Sequence, residues 1–395
     1  MISLHTPLTR MARNVLLLGA LAFASVVAGC ASNDGGGSTA PTEETRAPST
    51  GAPAVSSGSA ARVELAGVTG WLNSEPLTIA GEIGRGQVVL VDFWTYTCIN
   101  CIRTLPFVEA WHERYSEHGL TVIGVHTPEF DFEHRAENVQ AAIESHGLRY
   151  AVAQDNDYAT WDAFNNHFWP AKYLVGASGE VVYSHFGEGA YEETELAIRH
   201  ALQAAGQDLA GVEPTNLVAA PLDPAATQQT AELYAGYQRN YGARGGFAGQ
   251  AAYYLGPDEV RTYEDDGTRD PSRWYLQGEW RNDAEAVVHA RESPDLADYF
   301  ALAFIARSVN VVLSSDSGAS YKVMIELDGR PLATDEAGTD VTFDADGRSV
   351  VTYDGPRMYG IVELPAHDFH ELRLRSASPD LAIHAFTFGS YVEGA

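Results

Sequence analysis

The chain reads as two folded parts of different class, an α/β part organised on a parallel sheet and an all-β part organised as an antiparallel sandwich of jelly-roll type. The first is signalled by strand-like and helix-like runs that alternate from Val88 to Ala205. Its centre is Val88–Trp94, apolar except for Asp92, which suits a strand covered on both faces. The second is signalled by short alternating runs at 309–313, 321–327, 350–353, 359–364, 371–375 and 382–388, with Gly and Asp turns and no helix between them. At 395 residues and 45% hydrophobic, the chain is long enough for each part to own a core.

The amino terminus carries Arg10 and Arg13, an apolar run over 15–27 and small residues before Cys30, the order of an export signal over residues 1–29. Val27-Ala28-Gly29-Cys30 resembles a bacterial lipobox, which implies cleavage before Cys30 and a lipid anchor on its sulfur; a plain secretory site is the alternative. Residues 30–61 are mostly Ser, Gly, Thr, Pro, Ala and Glu, cannot bury a core, and read as a flexible tether.

The α/β part is expected over 62–208. Val63–Val68 and Leu77–Ala80 read as short strands ahead of the long one at Val88. Ile102, Leu105, Val108, Trp111 and Tyr115 form an apolar stripe at helical spacing that ends near Gly119. Leu120–Val125 reads as the next parallel strand, Ala136–His146 as a helix capped by Gly147, and Tyr150–Ala153 as a strand. Asp155–Asn166 reads as a helix broken at His167-Phe168-Trp169-Pro170. Lys172–Val175 and Val181–His185 pair as a hairpin, and Glu192–Ala205 closes the part as a helix. A Pro-rich linker over 209–230 leads into the sandwich, 231–395.

Cys98 and Cys101 fall where the helix after the long strand begins. Unpaired N–H groups and the positive dipole end favour a thiolate there, so Cys98 is expected to have a lowered pKa and to be the attacking sulfur. Cys101, one turn in, is expected to be shielded and to attack the mixed disulfide, closing a Cys98–Cys101 bridge. Asp92, buried on the adjoining strand, is the candidate to take the Cys101 proton; the plainer reading is an Asp at a solvated strand end. With Cys30 assigned to lipid, only one cysteine pair remains, which favours a catalytic pair over a structural framework.

Asp92-Phe93-Trp94, three further residues and then Cys-x-x-Cys resembles thioredoxin, and the whole run Phe93–Cys101 is similar to the TlpA-like domain of the DipZ family. The resemblance implies a thioredoxin fold carrying the inserted β-α-β step of TlpA-like and peroxiredoxin-like domains, with a redox-active disulfide and no other cofactor. It implies a cis Trp169–Pro170 bond and a substrate groove bordered by Trp94, Ile99, Asn100, Trp169, Pro170 and Glu188. The family places such domains downstream of a membrane electron carrier of the CcdA or DsbD type, which implies reduction of protein disulfides outside the cytoplasmic membrane. It also carries a carbohydrate-binding-module-like domain after the thioredoxin part, so a glycan is a candidate ligand of the sandwich. Trp274, Tyr275, Trp280 and Tyr299 have rings that stack on sugars, but at strand positions such rings more often form core.

A net charge of −28 argues against nucleic acid as a partner, because no basic patch is available to displace phosphate counterions. A zinc site would need ligands such as His112, His126 or His134, since no second cysteine pair exists. A thiol peroxidase is a second alternative; its Pro-x-x-x-Thr-x-x-Cys pattern keeps Thr95 but has Val91 where the proline belongs. A surface protein whose sandwich binds a glycan or partner is the third.

Overall fold

The computed structural model describes residues 63–224, 226–241 and 245–392, so the expected export signal, Cys30 and the tether lie outside the described residues. Strands β1 (Gly70–Leu72), β2 (Val88–Trp94), β3 (Leu120–His126), β4 (Ala151–Gln154), β5 (Ala171–Val175) and β6 (Val181–Phe186) form one sheet in the order β1-β4-β3-β2-β5-β6. β2 runs parallel to β3 and antiparallel to β5, and every one of its residues is buried. Covered on both faces, it has no need of polar alternation.

The period of two sorts β2 into two cores. Val88, Leu90 and Trp94 face the core that contains Cys101, Leu105, Val108 and Trp111, while Val89, Val91 and Phe93 face the core of Trp161, Phe164 and Tyr173. Asp92 therefore lies on the cysteine side. The helices are α1 (Ile79–Gly84), α2 (Ile99–Tyr115), α3 (Ala136–His146), α4 (Ala159–Ala163) and α5 (Tyr191–Ala204).

Three local expectations change. Val63–Val68 forms no strand, and the sheet edge is instead β1, antiparallel to β4. Leu77–Ala80 is not a strand: α1 starts at Ile79 because Thr78 Oγ1 accepts from Gly81 N at 3.0 Å and the Glu64 carboxylate accepts from Ile79 N and Ala80 N at 2.7 and 2.9 Å. The helix expected from Asp155 shortens to α4, since the Asp155 carboxylate accepts from the N–H groups of Thr160 and Trp161 at 2.8 and 2.9 Å and so marks the helix start.

Residues 209–230 carry, where described, only an isolated bridge, Leu222 to Tyr391. Beyond them lies an all-β sheet of eleven strands. Its spine is the antiparallel pair Tyr299–Ser314 and Arg357–Arg375. Bulges at Ala306/Ser308 and Val309/Asn310 bend that pair, so Tyr299–Leu302 pairs with Trp274–Asn282 while Ser308–Ser314 pairs with Ala382–Gly389. Val287–His289 joins those two partners and closes the layer on itself around Trp274, Phe300, Phe304 and Phe386. Trp274, Tyr275 and Trp280 are core residues, and Tyr299 packs against the guanidinium groups of Arg373 and Arg375.

The two parts pack together. Phe130 and Phe132 meet the His384 ring edge-on at 5.0 and 5.1 Å, and Glu129 accepts from Tyr234 at 2.8 Å and pairs with Arg239.

Candidate active site

Cys98 is the N-cap of α2, with extended dihedrals and a half-buried side chain whose sulfur accepts from the Cys101 backbone N–H at 3.4 Å. Cys101 is buried, and the two sulfurs are unbridged. Burial is the main force raising the Cys101 thiol well above its ordinary pKa, and the neighbouring Cys98 and Asp92 add to it. A half-exposed sulfur at a helix start beside a hidden thiol one turn on is an arrangement able to form and reopen a disulfide.

Asp92 is fully buried, and neither carboxylate oxygen makes a hydrogen bond. Desolvation lifts its pKa to about 7, and the Lys172 charge pulls the other way. Lys172 is its direct partner in the β2–β5 register, equally buried and also without a hydrogen bond at Nζ. Burial lowers the Lys172 pKa, while Asp92, Cys101 and Glu188 oppose that shift. Lys172 is the site residue that sequence reasoning missed. On the other flank of Asp92 stands Gly124, where a Cβ would lie 2.8 Å from the Tyr150 ring and 3.0 Å from Trp94 Nε1.

A second buried acid supports the turn that carries Cys98. Glu133 accepts from Thr97 Oγ1 at 2.5 Å, from Phe130 N at 3.1 Å and from Glu129 N. Its pKa is raised to about 7 by burial first and Glu129 second.

The expected groove residues separate into two groups. The Trp169–Pro170 peptide is cis, Trp169 is half-buried against Trp161 with ring centroids 4.2 Å apart, and Asn100 is exposed. Ile99, the residue after Cys98, is 6% exposed and lines a cavity. Trp94 does not border a groove: as the last residue of β2 it shares the inward face of Leu90 and Asp92, is fully buried, and meets His126 edge-on at 5.1 Å. Glu188 is not open to an incoming chain either. It lies 3.6 Å from Arg103 and accepts from the Tyr391 hydroxyl at 2.8 Å, with the Arg103 guanidinium 4.4 Å above the Tyr391 ring. Of the histidines named for a metal, His126 is buried with its pKa depressed to about 3 by desolvation. Among the described residues no group of three or more His, Cys, Asp or Glu is placed to hold a metal ion.

A model of the AhpC/TSA family matches residues 74–184, and one described as a thioredoxin-like C-terminal domain matches residues 230–389. The protein DipZ of Mycobacterium tuberculosis (strain CDC 1551 / Oshkosh) is 34% identical over 284 residues, 71% of this chain and 38% of that protein. This chain thus spans well under half the length of the DipZ proteins it matches. The thiol-disulfide oxidoreductase YkuV of Bacillus subtilis (strain 168) is 26% identical over 144 residues, 35% of this chain and 92% of its own. A solved thioredoxin-like protein in the oxidized form covers 36% of this chain and 95% of its own at 26% identity, with a TM-score of 0.34.

Proposed function

We propose that this chain, a DipZ- and TlpA-like thioredoxin-fold protein and a thiol–disulfide oxidoreductase, works outside the cytoplasm as a lipid-anchored reductant of protein disulfides. The observation that carries the reading is the pairing of a half-exposed Cys98 at the start of α2 with a buried Cys101 on the face of β2 that also bears Asp92.

The Cys98 thiolate attacks one sulfur of a partner's disulfide; that S–S bond breaks, a Cys98–partner bond forms, and the second partner sulfur leaves as a thiolate. Cys101 then gives its proton to Asp92 and attacks Cys98 Sγ, so the mixed bond breaks and the partner departs reduced. Two electrons have passed from the chain to the partner, and a Cys98–Cys101 bridge remains. A carboxylate with a pKa of about 7 is matched to this work at neutral pH, because both its protonation states are populated there. Asn100, exposed two residues after Cys98, and the cis Trp169–Pro170 peptide, which the thioredoxin likeness puts beside the pair, are assigned to holding its chain.

A separate membrane dithiol carrier of the CcdA or DsbD type reopens the bridge. No helix among the described residues is long and apolar enough to cross a membrane, and attachment is assigned to lipid on Cys30 at the end of a signal over 1–29. We place the break between redox and sandwich parts at 209–230. The buried state of Trp274, Tyr275 and Trp280 leaves a glycan no stacking surface at those rings, so the sandwich is assigned to positioning and recognition rather than to sugar binding.

The test is stoichiometric. Reduced full chain mixed with oxidised insulin should yield free insulin thiols and, by peptide mapping, a Cys98–Cys101 bridge; an unbridged pair after complete insulin reduction defeats the reading. The AhpC/TSA match favours a second reading, a thiol peroxidase, which Val91 weakens by standing where that chemistry needs proline. Consumption of hydrogen peroxide faster than of insulin disulfides would reverse the order.

A further inference from the structure

The cavity lined by Tyr96 and Ile99, on either side of Cys98 in the sequence, is a shared one. It measures 710 Å³ and lies between the start of α2 and the sandwich. Ile99, which follows Cys98 directly, and Ile102, three residues on and so on the same helix face, form one wall; Met358 and Val362 of the sandwich supply apolar surface opposite. A volume of this size accommodates a long side chain together with a stretch of backbone.

Its polar groups are unevenly charged. Arg357 lies 2.9 Å from Asp340 and 3.0 Å from Asp354, so one cation serves two carboxylates. Both acids are fixed further, Asp340 by Gly360 N at 2.8 Å and Asp354 by the Tyr359 hydroxyl at 2.8 Å. Glu363 lines the same cavity, half-buried, and adds a carboxylate. With three acids against one arginine, this wall carries a net charge of −2. Arg103 and Arg307 pair with Glu188 and Asp223 and also act on Glu363, opposing the rise in its pKa that burial causes and so favouring its charged form.

An independent feature points to an occupant. The Tyr96 hydroxyl, which also lines the cavity, is buried and makes no well-formed hydrogen bond, although Asn138 stands beside it. A buried donor left in that state costs on the order of a hydrogen bond, and a carbonyl of an incoming chain would satisfy it.

We infer that this cavity is the specificity pocket of the redox pair and takes a Lys or Arg that flanks the disulfide cysteine of a substrate polypeptide. The aliphatic stem lies on Ile99, Ile102 and Met358, the cation meets Glu363, and the substrate backbone accepts from Tyr96. The sandwich thereby selects what the cysteines reduce. The inference rests on the disulfide-reductase reading above and names the substrate class for that site.

The experiment compares peptides that each hold one disulfide and differ only in the residue next to cysteine, Lys, Gln or Glu, with hydroxyethyl disulfide as a small substrate that needs no pocket. Full-length protein and the variants Glu363→Gln, Glu363→Lys and Tyr96→Phe are assayed for kcat/KM. The wild type should reduce the Lys peptide about tenfold faster than the Glu peptide, the scale of a partly shielded charge contact. Glu363→Lys should level or invert that ratio, Tyr96→Phe should raise KM for all three peptides, and none of the variants should change the hydroxyethyl disulfide rate. Equal wild-type rates for Lys and Glu peptides, or a preference that survives Glu363→Lys, overturn the inference. Failure to reduce hydroxyethyl disulfide at all would overturn the redox reading itself, and so is told apart from failure of the pocket.

Discussion

Asp92 and Lys172 stand opposite one another in the register of β2 and β5, both fully buried, and each lacks a hydrogen bond at its charged group. Their coupling acts through space in a poorly solvated interior, where charges are felt more strongly than in water. Cys101 shares that interior, and Lys172 feels both Asp92 and Cys101. The lysine thus has a job that no hydrogen-bond inventory reveals, which is to keep the Asp92 pKa from rising further.

Replacing the lysine should expose this. In Lys172→Met, Asp92 loses the one charge that lowers its pKa, so the limb of the pH–rate profile for mixed-disulfide resolution moves to higher pH. At pH 7 a one-unit rise would slow resolution about fivefold, because the ionised fraction falls from about one half to about one tenth. Stopped-flow release of a Cys98-bound peptide between pH 6 and 9 is the measurement, and an unmoved profile would remove Lys172 from the mechanism.

Stability should separate from rate. Removing one member of a buried charge pair costs about 3–5 kcal/mol, whereas replacing both is often neutral. Asp92→Asn combined with Lys172→Met should therefore unfold in urea closer to the wild type than Lys172→Met alone, yet resolve no faster.

Two raised acids beside the cysteines contribute a pH dependence to stability. Asp92 and Glu133 both titrate near pH 7 when folded, against 3.8 and 4.5 for their ordinary forms. Between about pH 4 and 7 these two acids hold protons in the folded chain that they release on unfolding, so their contribution to stability is greatest at the acid end of this window and falls as pH rises towards 7. His126 and His384, whose pKa burial depresses to about 3, contribute in the opposite sense. For Asp92 alone the shift corresponds to about 4 kcal/mol as an upper scale. Urea midpoints at pH 5 and pH 7.5 in wild type and Glu133→Gln isolate one acid's share: the variant should lose less stability, or gain more, between the two pH values than the wild type does.

The roles proposed for the two sulfurs can be separated by substitution. Cys98→Ser should abolish insulin reduction, and Cys101→Ser should retain attack but accumulate mixed disulfides visible on non-reducing gels. A Cys101→Ser protein that captures nothing would contradict the resolving role.

Space beside Asp92 is equally testable. In Gly124→Ala the new methyl would sit within 3.0 Å of Trp94 and Tyr150, so these rings must move, at a cost of about 1–3 kcal/mol. Thermal unfolding checks the cost, and Asp92→Asn kinetics in the same background show whether the displaced Trp94 disturbs the acid.

Much of this is legible in the sequence alone. An apolar run broken once, followed by a turn and a helical stripe, placed Val88–Trp94 and Cys98 correctly, because strand and helix periods are local properties. Period two also held the signal that Trp94 shares the buried side of Leu90, a signal that the thioredoxin likeness obscured. What could not be read is tertiary. The helix at Ile79 owes its start to Glu64, fifteen residues upstream. Lys172 opposes Asp92 only through an antiparallel register, and Glu188 is occupied by Tyr391, which nothing in the turn Gly187–Gly189 announces.

The clasp of Arg103, Glu188 and Tyr391 ties together points that are far apart in sequence, Tyr391 lying 203 residues beyond Glu188. Arg103 sits on α2, the helix that Cys98 caps, so that helix is anchored at once to the loop after β6 and to the segment that follows Ala382–Gly389. Loosening any one of the three segments would be felt by the other two, so the redox part and the sandwich should unfold as one cooperative unit.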